Sequence, residues 1–312
     1  MAKMKFITQR RQTFFQAEKE FRFCTGAKKT YDENYREDGY GFIEWDAQIS
    51  GIPVEKVKLL IVEPGKPQIK KAVLPAFVFG LSKLEHIVFD ISFLKNKQAE
   101  KLPASLRSMM LSRRLAFKDI VQDLVKNKVE WQDGTRLENL EALFIIADEE
   151  KEKITTRLSA ENLPGLKYLG FKFTNKNELE TFSRFSDLTD LELGDLRDFP
   201  LFEHIAHLPL YSLDLTGTGN KFDISGLKNL KTLKYLRLNG IRPEIDCNIF
   251  TELPELTELV VLNSKKILNV EALLDCRNLK SINFLDCADP FKKGIKDKFN
   301  EDNYEILEIK YA

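Results

Sequence analysis

The sequence predicts an α/β solenoid, in which short parallel strands stack and helical or turn segments connect them. Three observations predict it. The pattern apolar-x-x-apolar-x-apolar occurs ten times, successive copies begin 22 to 34 residues apart, and most connecting segments have helix-like apolar spacing. A period of this size is typical of solenoids, and it overrides the two domains that a length of 312 residues would otherwise suggest.

Each copy of the motif predicts one short strand. Because side chains alternate along a strand, the three apolar positions face one side, while the second, third and fifth positions face the other. The ten copies begin at Leu84, Leu106, Leu140, Leu166, Leu188, Leu210, Leu233, Leu256, Leu279 and Tyr304.

The N-terminal residues 1–51 do not fit the repeat and are rich in aromatic and charged side chains. A solenoid exposes an apolar end, so we expect this segment to be a cap, with a separate recognition segment as the alternative. Residues 52–312 form the repeat domain, with one degenerate copy, whose strand is Val57–Val62, followed by a turn at 64–67 and ten clear copies. The expected capping side chains are Phe14, Phe15, Phe21, Phe23, Phe42, Ile43 and Trp45.

The segments between strands differ in their predicted structure. Phe117–Val125 has apolar residues on one helical stripe, and 270–276 and 290–299 have similar spacing. Residues 221–233 have a looser pattern, which predicts a turn or a 3₁₀ helix. We therefore expect helices and turns on the side of the coil opposite the partner-facing surface.

Residues 81–312, and in a more degenerate form 52–80, resemble the leucine-rich repeat family through these motifs and lead-ins such as Leu163-Pro164. The resemblance implies an α/β solenoid with a parallel sheet on its concave face and helices and turns on its convex face. The family usually places Asn three residues after the last apolar position, and here no copy has it. Ser, Thr and Cys can partly replace Asn, but Arg114, Leu196 and Ile241 cannot, so we expect an irregular coil.

The third and fifth motif positions map the predicted concave face. Its fifth positions are apolar towards the N-terminus, at Val88, Met110 and Phe144, and charged in the middle. Tyr and Arg are residue types that often dominate interfaces. We therefore predict that the middle of this face binds a protein partner with a basic patch. The alternative is that these side chains are simply solvated on an exposed sheet. The predicted partner-binding residues are Tyr168, Asp190, Glu192, Asp195, Tyr211, Asp214, Tyr235 and Arg237.

Composition argues against several classes of protein. Lys+Arg and Asp+Glu both total 48, so the zero net charge disfavours nucleic-acid binding. The first residues lack the apolar stretch of a secretory signal, so we expect no signal peptide. The most apolar window, 72–81, is about half the length that spans a bilayer. Four cysteines without CxxC spacing fit a reducing compartment, so we expect a cytoplasmic protein. His204 and His207 have few further ligands nearby, so we expect neither a metal nor a cofactor.

The chemistry-bearing motifs of enzymes are missing from the sequence. It has no Gly-rich phosphate loop, no nucleophile elbow and no zinc-protease motif. We therefore predict a non-catalytic scaffold for protein–protein interaction. One alternative is a cytoplasmic inhibitor or immunity-type protein that neutralises a partner enzyme or toxin, and another is a self-associating structural protein.

Overall fold

A computed structural model describes residues 7–112, 135–146, 152–287 and 295–311, and it confirms the predicted α/β solenoid of stacked parallel strands. Every strand pair assigned in it is parallel, and each motif copy contributes one strand. The chain forms two compact units. The N-terminal unit is Gln12–Tyr168, and the C-terminal unit combines Leu169–Ala312 with Met1–Arg11.

The N-terminal unit has strand order β2-β1-β3-β4-β5-β6. Strand β3 is the one predicted for the degenerate repeat, and the turn expected at 64–67 leads directly into a helix. Residues 22–43 add two parallel strands before β3, while a domain boundary at 51/52 stays a prediction. Helix α1 (Ile7–Phe14) has residues in both units. The other elements of the N-terminal unit are β1 (Arg22–Gly26), α2 (Lys28–Asn34), β2 (Gly41–Ile43), β3 (Leu59–Glu63), α3 (Lys66–Lys71), β4 (His86–Asp90), β5 (Ser108–Ser112), β6 (Ala142–Ile146) and α4 (Glu152–Thr155).

The strands of the C-terminal unit follow the order β7-β8-β9-β10-β12-β14-β15, and β11 and β13 form a second, two-stranded parallel sheet. Strand β7 begins at the last residue of the N-terminal unit. The elements are β7 (Tyr168–Lys172), β8 (Asp190–Arg197), α5 (Leu201–Ile205), β9 (Ser212–Thr218), β10 (Tyr235–Asn239), β11 (Ile245–Asp246), β12 (Glu258–Leu262), β13 (Ile267–Leu268), β14 (Ser281–Cys287) and β15 (Ile306–Tyr311).

Most of the described connections are 3₁₀ helices rather than α-helices. The loose segment at 221–233 contains a 3₁₀ helix at Ser225–Asn229, as predicted, and the helical spacing at 270–276 forms another at Val270–Asp275. The helix expected at Phe117–Val125 lies outside the described residues, as does most of 290–299. The remaining 3₁₀ helices are Lys19–Phe21, Ile49–Gly51, Val54–Lys56, Ala76–Gly80, Ile91–Lys101, Lys176–Arg184, Cys247–Glu252, Lys296–Lys298 and Glu301–Asn303.

The core is built from the apolar motif positions. Leu213 and Leu215 of β9, and Leu238 of β10, have no exposed surface. Burying one such side chain contributes about 1.5–3 kcal/mol of transfer free energy, so the ladder of leucines is the main stabilising feature of each repeat. Three of the four cysteines are buried, and all four are free thiols.

In three repeats a hydroxyl or thiol group takes the place of the missing Asn. Thr218 Oγ1 accepts a hydrogen bond from the Arg242 amide at 3.0 Å, and Ser264 Oγ accepts one from the Ile241 amide at 3.3 Å. The Cys287 thiol donates to the Val261 carbonyl at 3.4 Å. These bonds join neighbouring repeats, which is the function that Asn serves in the family that the sequence resembles.

Each of five successive repeats leaves its strand through the same backbone conformation. One residue before the position of the missing Asn, the backbone adopts φ values between 50° and 71°. Gly, Asn and Asp tolerate this left-handed region best, and only these types occur there. The five residues are Asp195, Gly217, Gly240, Asn263 and Asp286.

Candidate interaction surface

The third and fifth residues of the motifs share one face of each sheet, which we call the odd-position face. In the C-terminal unit the strand register places Glu192 opposite Asp214, and Asp214 opposite Arg237. Arg11 contacts the same row at Glu192. The side chains of Arg11, Glu192, Asp214 and Arg237 therefore form a charge row with no net charge.

The centre of the charge row is a buried ion pair. Arg237 Nη1 donates to Asp214 Oδ2 at 2.6 Å, and the Asp214 side chain is 3% exposed while that of Arg237 is 21% exposed. Burial raises the pKa of Asp214, and the charges of Arg237 and Arg11 oppose that rise. The carboxylate is therefore retained on this face by its cationic neighbours rather than by water.

The N-terminal end of the row is held by a residue that the sequence did not single out. Arg11 Nε donates to Glu192 Oε2 at 2.9 Å, and its Nη2 contacts the other carboxylate oxygen. A forked guanidinium contact of this kind fixes orientation as well as charge. Arg11 thus balances the charge of Glu192, as Arg237 balances that of Asp214.

Two other predicted acids differ in accessibility. Asp190 is fully buried, and its carboxylate accepts a hydrogen bond from Thr189 Oγ1 at 2.6 Å. Asp195 is exposed and occupies the left-handed turn position after β8. A partner that approaches this part of the face would meet Asp195 and the rim of the charge row more readily than Asp190.

Tyr211 and Tyr235 form an aromatic pair at the start of β9 and β10. Their rings lie 4.7 Å apart in an edge-to-face arrangement, and the Tyr211 hydroxyl donates to the Tyr235 hydroxyl at 3.0 Å. Lys234 Nζ lies 5.5 Å from the Tyr211 ring centroid. Both tyrosines are partly exposed, so they are accessible to a partner.

An open groove that the sequence did not reveal runs beside this aromatic pair, where β9, β10 and β12 begin. Its volume is about 690 Å³, and its lining combines two prolines with an aromatic ring and two lysines. The sequence contained a pattern that indicates this groove, because its two prolines belong to the Leu-Pro lead-ins that recur among the repeats. The lining residues are Thr189, Pro209, Tyr211, Lys231, Thr232, Lys234, Pro254 and Glu255.

The fifth motif positions of the N-terminal unit contribute to an apolar cluster. Ala142, Phe144 and Tyr168 form a buried cluster with Met110 packed against it. Phe14 and Phe15, which were expected to cap the open end, pack on this cluster instead. Tyr168 is only 3% exposed as a result, so this predicted contact residue lies beneath the chain's own N-terminal segment.

Two of the three histidines, His86 and His207, make structural contacts. His86 Nδ1 lies 2.7 Å from Ser108 Oγ, and burial lowers the pKa of His86. His207 Nε2 lies 3.0 Å from the Phe185 carbonyl oxygen. Within the described part of the chain, no group of three or more His, Cys, Asp or Glu side chains is placed to hold a metal ion.

Comparisons with known proteins give a distant structural likeness. No family model matches the sequence, and no curated protein matches it. A crystal structure of an internalin from Listeria monocytogenes matches with 14% identity and a TM-score of 0.43, over 86% of this chain and 78% of that one. Among the described helices, none has the length and apolar character needed to cross a membrane.

Proposed function

We propose that this protein is a non-catalytic interaction scaffold that binds a protein partner on the odd-position face of its C-terminal unit. The observation that carries the proposal is the contact between Arg11 and Glu192. It supports a partner with a basic patch, because this face already accommodates a guanidinium group through both oxygens of one carboxylate. A partner's arginine could make the same paired contact.

The other predicted residues would have different roles in this interface. Tyr211 and Tyr235 supply partly exposed aromatic surface. Tyrosine is one of the residue types most often important in interfaces. Asp195 adds an exposed charge, while Arg237 and Asp190 position the buried part of the row. Tyr168 belongs to the N-terminal unit and would become available only if Phe14 and Phe15 moved.

Charge reversal at one end of the row tests the proposal. The full chain carrying Glu192→Lys is compared with the wild type in affinity capture from the native host, followed by mass spectrometry. Glu203→Lys, an exposed site on α5, is the matched control because it makes the same charge change away from the face. We expect a protein retained by the wild type and the control to be reduced at least about tenfold with Glu192→Lys.

The same experiment separates the alternatives. Equal retention by all three folded chains would contradict binding at this face. Capture of an enzyme or toxin whose activity falls on binding would favour the inhibitor or immunity role, and capture of a second copy of the chain would favour self-association. We also propose a cytoplasmic location, which the four free cysteines support.

A further inference from the structure

The segment that follows α1 lies across the odd-position face of the N-terminal unit. The ring centroids of Phe14 and Tyr168 are 5.2 Å apart, and those of Phe15 and Tyr168 are 6.2 Å apart in an edge-to-face arrangement. Phe144 lies behind them, with its ring centroid 6.5 Å from that of Tyr168. Two adjacent aromatic side chains therefore dock on an aromatic platform that the repeats form.

Polar contacts accompany these rings. Burial lowers the pKa of His86, the third motif residue of β4, and the nearby backbone of Phe14 and Gln16 opposes that shift. Aromatic side chains at the end of a helix that anchor on an apolar surface are a common way in which proteins recognise peptides. The contact is thus arranged as a peptide-binding site whose occupant belongs to the same chain.

We propose that this apolar surface, formed by Met110, Ala142, Phe144 and Tyr168, is a docking site for a partner segment that carries two adjacent aromatic residues. Residues 12–16 occupy the site in the free protein and are displaced when the partner binds. The proposal rests on the proposed function only for the existence of a protein partner, because it concerns a different surface from the charge row.

The internal occupant is placed to be exchanged. Phe14 and Phe15 are only partly buried, whereas Ala142 and Tyr168 beneath them are almost fully buried. The platform would therefore expose apolar and aromatic surface if it were left uncovered. Tethering gives the occupant a high effective concentration, on the order of millimolar for a short flexible link, so a displacing partner must bind better than the isolated segment does.

The test uses the full chain and a labelled synthetic peptide of residues 7–18. Phe14→Ala with Phe15→Ala empties the site, and Thr13→Ala, at an exposed position of the same segment, is the matched control. We expect fluorescence anisotropy to show at least about tenfold tighter binding of the peptide to the double variant than to the wild type or the control. Adding Phe144→Ser to the double variant should abolish the gain.

Equal affinity for wild type and double variant would overturn the proposal, as would a gain that survives Phe144→Ser. If circular dichroism shows that the double variant is unfolded, Phe14→Leu with Phe15→Leu takes its place. In the variant with Phe14→Leu and Phe15→Leu, the resonance of the Met110 methyl group should shift when the peptide is added. An unchanged resonance would contradict docking of the peptide on this surface. Because Arg11 of α1 contacts Glu192, peptide binding is measured on chains that keep Glu192. Loss of partner capture with Glu192→Lys and loss of peptide binding with Phe144→Ser then report on the two proposals separately.

Discussion

At the residue scale, the charge row shows how a polar face is kept in a chain with no net charge. Asp214 is almost fully buried, yet it faces Arg237 at 2.6 Å and receives further support from Arg11. A buried ion pair is weak evidence for stability, because desolvation offsets much of its attraction. In the proposed interface, the ion pair would fix which charges a partner meets.

The raised pKa of Asp214 predicts a specific pH dependence. Because the folded state binds the proton more tightly than the unfolded state, the stability that this group contributes is fully present below the unfolded pKa of about 3.9. It is lost as the pH rises through the folded pKa. We therefore expect urea unfolding to show that the free energy of unfolding of the wild type falls relative to that of Asp214→Asn between about pH 4 and the folded pKa of Asp214. Above that pKa, the difference between the two proteins should be constant. If the wild type instead lost stability relative to Asp214→Asn as the pH falls, the raised pKa of Asp214 would be contradicted.

At the element scale, the left-handed residue at or just past the end of five strands of the C-terminal unit is a repeated structural requirement. Gly240 has φ 63°, and the atom nearest to a Cβ built there lies 4.0 Å away, so space does not limit a side chain at this position. Backbone conformation limits it instead, because an L-residue with a Cβ is strained in this region. Asp, Asn and Gly occupy the equivalent positions because they tolerate it best.

Gly240→Ala should therefore destabilise the protein by about 1–2 kcal/mol through backbone strain alone. Gly51→Ala is the matched control, because Gly51 also has no atom near a built Cβ and has no left-handed φ. Chemical denaturation of the two variants and the wild type measures the difference. Equal stability of both variants would mean that the turn adjusts without cost.

At the scale of the whole molecule, the repeats contact mainly their sequence neighbours, so the effect of a local change should be local. Strand β10 pairs with β9 on one side and with β12 on the other. Each unit contains its own ladder of buried leucines and phenylalanines. The solenoid therefore allows one surface to change without remodelling distant repeats.

Hydrogen exchange tests this locality. Arg237→Leu leaves the Asp214 carboxylate without its main buried partner and should cost about 3 kcal/mol. We expect faster exchange in β9, β10 and β12 and unchanged exchange in β3 and β4, read by mass spectrometry. Asp214→Leu combined with Arg237→Leu should restore most of the protection. Faster exchange throughout the chain would show that the repeats unfold as one cooperative body.

The sequence by itself determined the repeating architecture. A strand at each motif, the parallel stacking and the 3₁₀ segment at 221–233 all follow from local periodicity, which each repeat carries in its own residues. The left-handed turn was also readable, since Asp195, Gly217, Gly240, Asn263 and Asp286 recur at one motif offset. The partner-binding assignment of the eight candidate residues stays a prediction.

Only the tertiary structure decided what covers the odd-position face. Arg11 meets Glu192 across 181 residues of chain, and Phe14 and Phe15 settle on Tyr168 rather than at the end of the solenoid. No local pattern specifies such contacts, because an aromatic, basic segment fits an open end and an apolar sheet face equally well by composition. The choice depends on where the folded repeats place a platform of matching shape and charge.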